Sequence, residues 1–138
     1  MTNKLLPLMT SDSAPFWEGC ARHELLHQYC TRCGKAQFPP ARHCRTCFAP
    51  DPEWRRSAGL GWVHSLTHVH RAPSPEFQAE VPYTLALIDL AEGFRMMTCL
   101  RGEGRENAEI GDGIEIIFEA LSDEVSLPQS RLRAHDAK

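Results

Sequence analysis

Four cysteines follow one another as Cys30-x2-Cys33-x10-Cys44-x2-Cys47, and this spacing constrains the fold more than any other feature of the chain. A Cys-x-x-Cys turn presents two thiolates to one ion, and zinc in closed structural sites takes four such ligands at about 2.3 Å in a tetrahedron. The spacing therefore predicts one structural zinc ion held by two knuckles, in a short rubredoxin-like zinc ribbon.

The residue that follows each pair of cysteines affects how the knuckle closes. Gly34 follows Cys33, and a residue with positive φ at this place lets backbone N–H groups point at the sulfur atoms. Phe48 takes the corresponding position of the second knuckle. The first knuckle thus has the residue that its geometry favours, and the second does not.

Four sulfur ligands do not by themselves separate zinc from iron. A rubredoxin-like iron protein that carries electrons is therefore an alternative, although the chain shows no motif for a second cofactor to receive the electrons. The two remaining cysteines, Cys20 and Cys99, are interpreted as small buried side chains rather than catalytic thiols. Paired cysteines in a chain of ordinary composition favour reduced thiols, and no apolar run reaches the roughly eighteen residues of a membrane span, so we expect a cytoplasmic protein.

The rest of the pattern predicts a mostly β fold after one short N-terminal helix. Ser11, Asp12 and Ser13 offer N-cap chemistry. Pro15 then suits the first turn of a helix that should end near His23. Beyond the ribbon, period-two alternation and turns rich in Gly or Pro predict a five-stranded OB-type β-barrel, with strands at residues 61–70, 83–90, 94–100, 114–121 and 125–127. The chain is accordingly divided into a flexible tail, the helix with the zinc ribbon, the OB-fold barrel and a second flexible tail, at residues 1–12, 13–54, 55–132 and 133–138.

The formal charge of −3 hides an asymmetry between the two halves of the chain. Residues 20–56 carry seven Lys/Arg against three acidic residues, whereas residues 57–138 carry seven against thirteen. Four thiolates and one divalent ion would leave the first of these segments weakly positive. OB folds that hold single strands combine a basic groove with exposed aromatic side chains. The acidic barrel half therefore argues against binding of single-stranded nucleic acid, which is kept as an alternative function.

Three histidines of the first barrel strand come nearest to a catalytic cluster. Alternation places His64, His68 and His70 on one strand face, about 7 Å apart for each two-residue step. They could bind a second metal or transfer protons there, and Asp89 of another strand could approach them. Because the sequence fixes no carboxylate beside them, we interpret them as lining a polar barrel face or solvent. No catalytic residue is predicted.

Several short stretches occur in an order that is specific when they are taken together: Phe16-Trp17-Glu18-Gly19, the two cysteine knuckles on either side of Phe38-Pro39-Pro40, Pro82-Tyr83 followed by LALIDLAEG, and IGDGIEIIFE. In this order they resemble the zinc-ribbon and OB-fold proteins grouped as domain of unknown function 35, the acyl-CoA-associated OB-fold proteins. The resemblance covers most of the chain, from Pro15 to Leu132. His23 departs from it, because relatives usually end the helix with a glycine at this place.

The resemblance implies a non-catalytic scaffold or accessory subunit of an acyl-CoA-processing complex. In such a complex the chain would form a hetero-oligomer with a thiolase- or hydratase-type enzyme and could contact acyl-CoA itself. Aromatic and proline-rich segments offer recognition surfaces for the enzyme, and two cations suit phosphates. These candidate contact residues are Phe16, Trp17, Phe38, Pro39, Arg42 and Arg71.

Overall fold

The computed structural model describes residues 6–133, in which a short helix precedes a three-stranded sheet and a five-stranded barrel. The predicted mostly β fold is thereby confirmed. The outer parts of the two predicted tails, residues 1–5 and 134–138, lie outside the described residues. No helix in the described part of the chain is long and apolar enough to cross a membrane. The elements are α1 (Ala14–Ala21), β1 (Leu26–Tyr29), β2 (Ala36–Gln37), β3 (Glu53–Arg56), β4 (Leu60–Val69), β5 (Tyr83–Leu90), β6 (Arg95–Arg101), β7 (Gly113–Ala120) and β8 (Ser126–Leu132), with short 3-10 turns at Pro75–Phe77 and Arg105–Asn107.

Helix α1 lies where the sequence predicts it, but its N-terminus is capped differently. Ser13 is the N-cap residue, yet its hydroxyl makes no capping bond to the helix and instead accepts the N–H of Thr10 at 3.0 Å. At the other end the N–H of Glu24 donates to the carbonyl of Gly19 at 2.8 Å, and His23 has a φ of 61°. A left-handed residue at this place ends many helices. His23 therefore performs the role that a glycine would fill with less strain.

The zinc ribbon is built on an antiparallel sheet in the order β2-β1-β3. Gln28 of β1 lies opposite Gln37 of β2 and opposite Trp54 of β3. The buried Gln28 amide donates to the carbonyl of Ala41 at 2.8 Å and accepts from the Gln37 amide at 2.8 Å. Because buried polar groups need such partners, this network holds the segment between the two knuckles against the sheet. Strand β3 spans the place where the boundary between ribbon and barrel is predicted.

The second half of the described chain closes into a barrel in the order β4-β5-β6-β8-β7, the five strands predicted for an OB-type barrel. Neighbouring strands are antiparallel except β6 and β8, which are parallel. On β5 and β6, alternating residues point into the barrel. The largest fully buried apolar side chains of this core are Val63, Ile88, Leu90, Leu100 and Ile114.

Strand β8 runs to Leu132, well past the residues 125–127 that the sequence predicts. Its polar residues conceal the continuation because they are buried and bonded to β6. Ser130 Oγ lies 2.7 Å from Thr98 Oγ1, and Gln129 Oε1 accepts the N–H of Cys99 at 2.7 Å. Only two residue pairs join β6 to β8 in register. Polar side chains therefore close the barrel where backbone pairing is short.

The prediction that His64, His68 and His70 share one strand face is wrong. Strand β4 contains a β-bulge between Val63 and Ser65, where its register against β5 shifts. One extra residue on a strand reverses which members of the period-two pattern point inward. The three histidines consequently do not form one cluster. Within residues 6–133 the cysteines are the only group of three or more metal-binding side chains that lie close together.

The histidines on either side of the bulge have different partners. His64 is on the outer face, where its Nδ1 lies 3.4 Å from Asp89 Oδ2. His68 is opposite the buried Thr84, and its Nδ1 lies 2.8 Å from Oγ1 of that residue. His70 follows the end of β4 and is exposed. Of these three histidines, His64 is the one that Asp89 approaches.

The ribbon and the barrel share one apolar core at their junction. Phe16 and Cys20 of α1 and Leu25 of the ribbon are buried in the same cluster as the barrel core. The rings of Phe16 and Phe38 lie 5.2 Å apart, and those of Phe38 and Phe94 lie 6.1 Å apart. Burial raises the pKa of Cys20 to about 12, which keeps it a neutral thiol. This cysteine is therefore a buried structural side chain, as the sequence predicts.

A buried histidine and a carboxylate complete the junction. The ring of His27 is stacked on Phe94 at 4.5 Å, and its Nδ1 is buried with no hydrogen-bond partner among residues 6–133. Glu92, in the turn between β5 and β6, accepts hydrogen bonds from Ser57 Oγ at 2.7 Å and from the Ala58 N–H at 2.8 Å. Burial lowers the pKa of His27, although the charge of Glu92 opposes this change. Burial opposes ionisation of Glu92, but the hydrogen bonds from Ala58 and Ser57 lower its pKa.

We expect the free energy of unfolding to be lower at about pH 5 than at about pH 7, with His27 contributing to the loss. The pKa of this histidine is lowered from 6.5 in the fold, so below that pH the unfolded chain binds a proton that the folded chain excludes. The contribution is present above the unfolded pKa and is lost as the pH falls toward the folded one. Urea unfolding at the two pH values measures it.

The variant His27→Gln has no titrating side chain at this place, and its stability should therefore depend less on pH than that of the wild type. His70→Gln, at an exposed histidine, is the matched control and should keep the wild-type dependence. If the stability of His27→Gln fell with pH as much as that of the wild type, His27 would not be a source of the acid sensitivity.

Candidate metal centre and docking surface

The four cysteines predicted as metal ligands come together at the end of the ribbon. Their Sγ atoms all lie within 4.8 Å of one another. Cys30 and Cys47 approach to 3.5 Å, and Cys33 and Cys44 approach to 3.6 Å. Each knuckle thus contributes one sulfur to each of these close pairs, and the separations are close to those between the ligands of a tetrahedral zinc site. The arrangement is positioned to bind one metal ion.

Backbone N–H groups favour the thiolate forms that metal binding needs. The N–H groups of Thr46 and Cys47 point at Cys44 Sγ, at 3.3 and 3.5 Å. These contacts lower the pKa of Cys44 to about 6, with Cys47 the larger cause. The N–H of Cys33 lies 3.4 Å from Cys30 Sγ and lowers the pKa of Cys30 in the same way. Burial instead raises the pKa of Cys33 to about 12. Because the thiolate is the metal ligand, the backbone favours the binding form at Cys30 and Cys44, whereas burial opposes it at Cys33.

The two knuckles share a backbone geometry but differ in strain. The N–H of Gly34 donates to the Cys30 carbonyl at 2.8 Å, and the N–H of Phe48 donates to the Cys44 carbonyl at 2.9 Å. Gly34 has a φ of 77° and Phe48 a φ of 64°. This conformation costs a residue with a side chain about 1–2 kcal/mol. The side chain of Phe48 is 75% exposed, so packing within the described chain does little to offset the cost.

Three of the predicted contact residues lie at the junction between ribbon and barrel. Phe16 is buried, and its ring meets that of Trp17 edge-on at 4.9 Å as well as that of Phe38. Trp17 and Phe38 are half-buried against the same core. Pro39 is exposed, and its carbonyl accepts a hydrogen bond from the Arg45 guanidinium. The three aromatic residues therefore join the two modules, whereas Pro39 lies at the surface.

The two predicted phosphate contacts lie on different modules. Arg42 is exposed on the ribbon, and Arg71 is exposed on the loop that follows β4. Arg42 lines a cavity of about 390 Å³, in which Trp54 supplies an aromatic surface. The other lining residues are Ser11, Asp12, Gln28, Ala41, Asp51 and Pro52. The cavity therefore combines one cation with two carboxylates and an indole.

An exposed apolar surface on the outside of the barrel was not predicted. We call it the barrel face and define it by Trp62, Leu87 and Met97, which are 47%, 36% and 63% exposed. Leu87 and Met97 are cross-strand partners, and Trp62 lies opposite Asp89, two residues along β5 from Leu87. Strict alternation with the buried neighbours on β5 and β6 could have revealed Leu87 and Met97. Alternation is a weaker guide to the exposure of Trp62, because the bulge between Val63 and Ser65 interrupts the pattern of β4.

Charged residues beside the barrel face neutralise one another. Arg95 Nε donates to Asp89 Oδ1 at 2.6 Å, and this hydrogen bond lowers the pKa of Asp89. Arg95 Nη2 also lies 3.2 Å from His64 Nδ1. Apolar side chains with few unpaired charges are typical of the centre of a protein interface, whereas a nucleic-acid groove needs unpaired cations. The barrel face therefore favours a protein partner.

We expect Cys33→Ser to lower the metal content and unfold the ribbon, because metal binding by the four ligands supplies folding energy to a closed structural site. Most of the buried side chains in the shared core belong to the barrel half, so the barrel should stay partly folded. Elemental analysis and thermal unfolding test this expectation. Cys99→Ser, at a cysteine outside the cluster, is the matched control and should retain its metal. Unchanged metal content and melting of Cys33→Ser would contradict the ligand assignment.

Comparison with known proteins identifies both modules. The ChsH2 rubredoxin-like zinc ribbon domain matches residues 17–53, and the ChsH2 C-terminal OB-fold domain matches residues 54–119. The chain is 33% identical over 91% of its length to a probable enoyl-CoA hydratase alpha subunit of Thermomonospora curvata. It covers 39% of that longer protein, so it corresponds to about two fifths of this relative.

Relatives of similar length show the family more directly. The chain is 30% identical to a DUF35 domain-containing scaffold protein of Methanothermobacter thermautotrophicus, over 75% of this chain and 77% of that protein. A solved chain named Ltp2-ChsH2(DUF35) aldolase superposes with a TM-score of 0.81 at 32% identity, over 92% of this chain and 98% of that one. The chain therefore belongs to the DUF35 family, with a ChsH2-type zinc ribbon followed by an OB-fold domain.

Proposed function

We propose that this chain is a non-catalytic, zinc-binding scaffold subunit that joins an acyl-CoA-processing enzyme of the thiolase or hydratase type in a cytoplasmic complex. The observation that carries the proposal is the barrel face, whose apolar side chains remain exposed among the described residues. Relatives named as a scaffold protein and as a hydratase alpha subunit support an assembly with an acyl-CoA enzyme.

The barrel face suits a buried protein contact. Burial of a large apolar side chain such as Trp62 or Met97 contributes about 1.5–3 kcal/mol, and aromatic residues and methionine are enriched at interface centres. Because Asp89 is already paired with Arg95, the charges beside the face need no partner from the enzyme. Trp62, Leu87 and Met97 are therefore the proposed anchors of the complex.

The metal is proposed to be one structural zinc ion. Four cysteine ligands would complete a tetrahedron and leave no position for a substrate, which supports a role in structure rather than in catalysis. The sulfur ligands also accept iron, so elemental analysis decides between the two metals. A red protein with visible absorption would indicate a rubredoxin-like iron site, and a colourless protein with one equivalent of zinc would exclude it.

Direct contact with acyl-CoA is a narrower part of the proposal. Arg42, at the ribbon cavity, and Arg71, on the loop after β4, are the proposed phosphate contacts, since guanidinium groups pair well with phosphates. Trp54 could support a flat ring in the same cavity. Phe16, Trp17 and Phe38 would act indirectly, by fixing the ribbon against the barrel.

We expect Met97→Glu to weaken the complex with its acyl-CoA enzyme at least about tenfold, because a buried, unpaired carboxylate would replace an anchor. The test is co-expression with candidate acyl-CoA enzymes of the thiolase and hydratase types, followed by size-exclusion chromatography. Leu8→Glu, which adds the same charge at a residue that is 87% exposed in the segment before α1, is the matched control. Separate elution of the wild-type protein and the enzyme would overturn the proposed function, whereas unchanged binding of Met97→Glu would overturn the role of the barrel face.

A further inference from the structure

The end of the ribbon that carries the cysteines has a second exposed surface of different chemistry. We call it the knuckle surface and define it by Phe48 and the cations Arg32, Lys35 and Arg45. All four side chains are exposed, and Phe48 is more exposed than any residue of the barrel face. The surface therefore combines one large aromatic side chain with a basic segment of chain.

Phe48 is costly to the isolated chain in two ways. Its φ of 64° is unfavourable for a residue with a side chain, and its ring is left largely in water. Gly34 holds the equivalent position of the first knuckle without strain, so the knuckle itself does not require a side chain. A strained and exposed aromatic residue that packs little within its own chain is expected where the side chain has a use outside it.

The positively charged residues near Phe48 indicate what kind of partner its side chain would contact. Residues 25–50 contain four Lys/Arg and no Asp or Glu. Arg32 and Lys35 take part in none of the ion pairs among the described residues. The Arg45 guanidinium donates a hydrogen bond to the Pro39 carbonyl, and because that acceptor is neutral the positive charge of Arg45 is not compensated by it. The cations of the knuckle surface are thus available to carboxylates of another molecule.

We propose that Phe48 inserts into an apolar pocket, rimmed by Asp and Glu side chains, on the acyl-CoA enzyme that this chain joins. The inference rests on the proposed function and adds a second contact, separate from the barrel face in residues and in charge. Aromatic anchors in pockets carry much of the energy of protein interfaces. The surrounding cations steer the approach of an acidic partner and fix its register.

A membrane surface is the other acidic partner that an exposed aromatic residue and cations could meet. Stable attachment to a bilayer takes two strong signals. Phe48 is a single side chain, and once four thiolates and one divalent ion are counted the segment of residues 25–50 has a formal charge of only about +2. The observations therefore favour a protein pocket, where one side chain can be enclosed fully.

The decisive variant is Phe48→Gly, because it places the residue of the first knuckle into the second. Its melting temperature should be equal to or above that of the wild type, since strain is relieved and little packing is lost. Its metal content should be unchanged. Its affinity for the co-expressed thiolase- or hydratase-type enzyme should fall at least about tenfold. Ile110→Gly, at a residue that is 72% exposed on a barrel loop, is the matched control and should bind normally.

A charge-reversal variant and a lipid-vesicle binding assay complete the experiment. The double variant Arg32→Glu, Lys35→Glu should also weaken binding, and rising salt should weaken the wild type more than this variant. Wild-type binding that Phe48→Gly leaves intact would overturn this inference but not the proposed function. Failure of the wild type to bind the enzyme would overturn both. Phe48-dependent binding to phosphatidylserine vesicles, without an effect on the enzyme complex, would replace the protein pocket by a membrane.

Discussion

The apolar junction between ribbon and barrel is the contact on which the rest of the structure depends. Phe16 from α1 fills the space beside Phe38, and Phe38 approaches Phe94 of the barrel. The stacked ring of His27 extends this contact. Because neither a two-knuckle ribbon nor one helix can bury much apolar surface alone, the junction gives both modules a common core. It also holds the segments that carry the knuckle surface and the barrel face in one compact molecule.

The metal centre and the exposed surfaces have complementary roles in this arrangement. The four clustered cysteines are positioned to bind one metal ion, and a site closed by four such ligands would stabilise the ribbon and leave no position for chemistry on a substrate. Exposed apolar side chains lie elsewhere, among them Trp62, Leu87 and Met97 on the barrel and Phe48 at the knuckle. A molecule with a closed metal site and apolar side chains in water has the features of a binding subunit. These features agree with the relatives that are named scaffold proteins.

The sequence predicts most of the local structure because local chemistry determines it. The cysteine spacing gives the knuckles, and turn residues with period-two alternation give the number and order of the barrel strands. The predicted shared face of the three histidines is wrong because one extra residue in β4 reverses which side chains point inward. The bulge between Val63 and Ser65 separates His64 from His68, and nothing in the composition of that strand marks it. The length of β8 is missed for a related reason, since Gln129 and Ser130 are buried through partners distant in sequence.

By itself, the sequence determined the four cysteines that come together, the family, and the order of helix, ribbon and barrel, since each depends on residue type and short spacing. Only the tertiary structure decided which apolar side chains are buried in the core and which remain exposed to solvent. Phe16 and Phe38 looked like surface anchors but pack at the junction, whereas Met97 and Phe48 are exposed. Exposure depends on which elements meet, and those contacts join residues far apart in the chain.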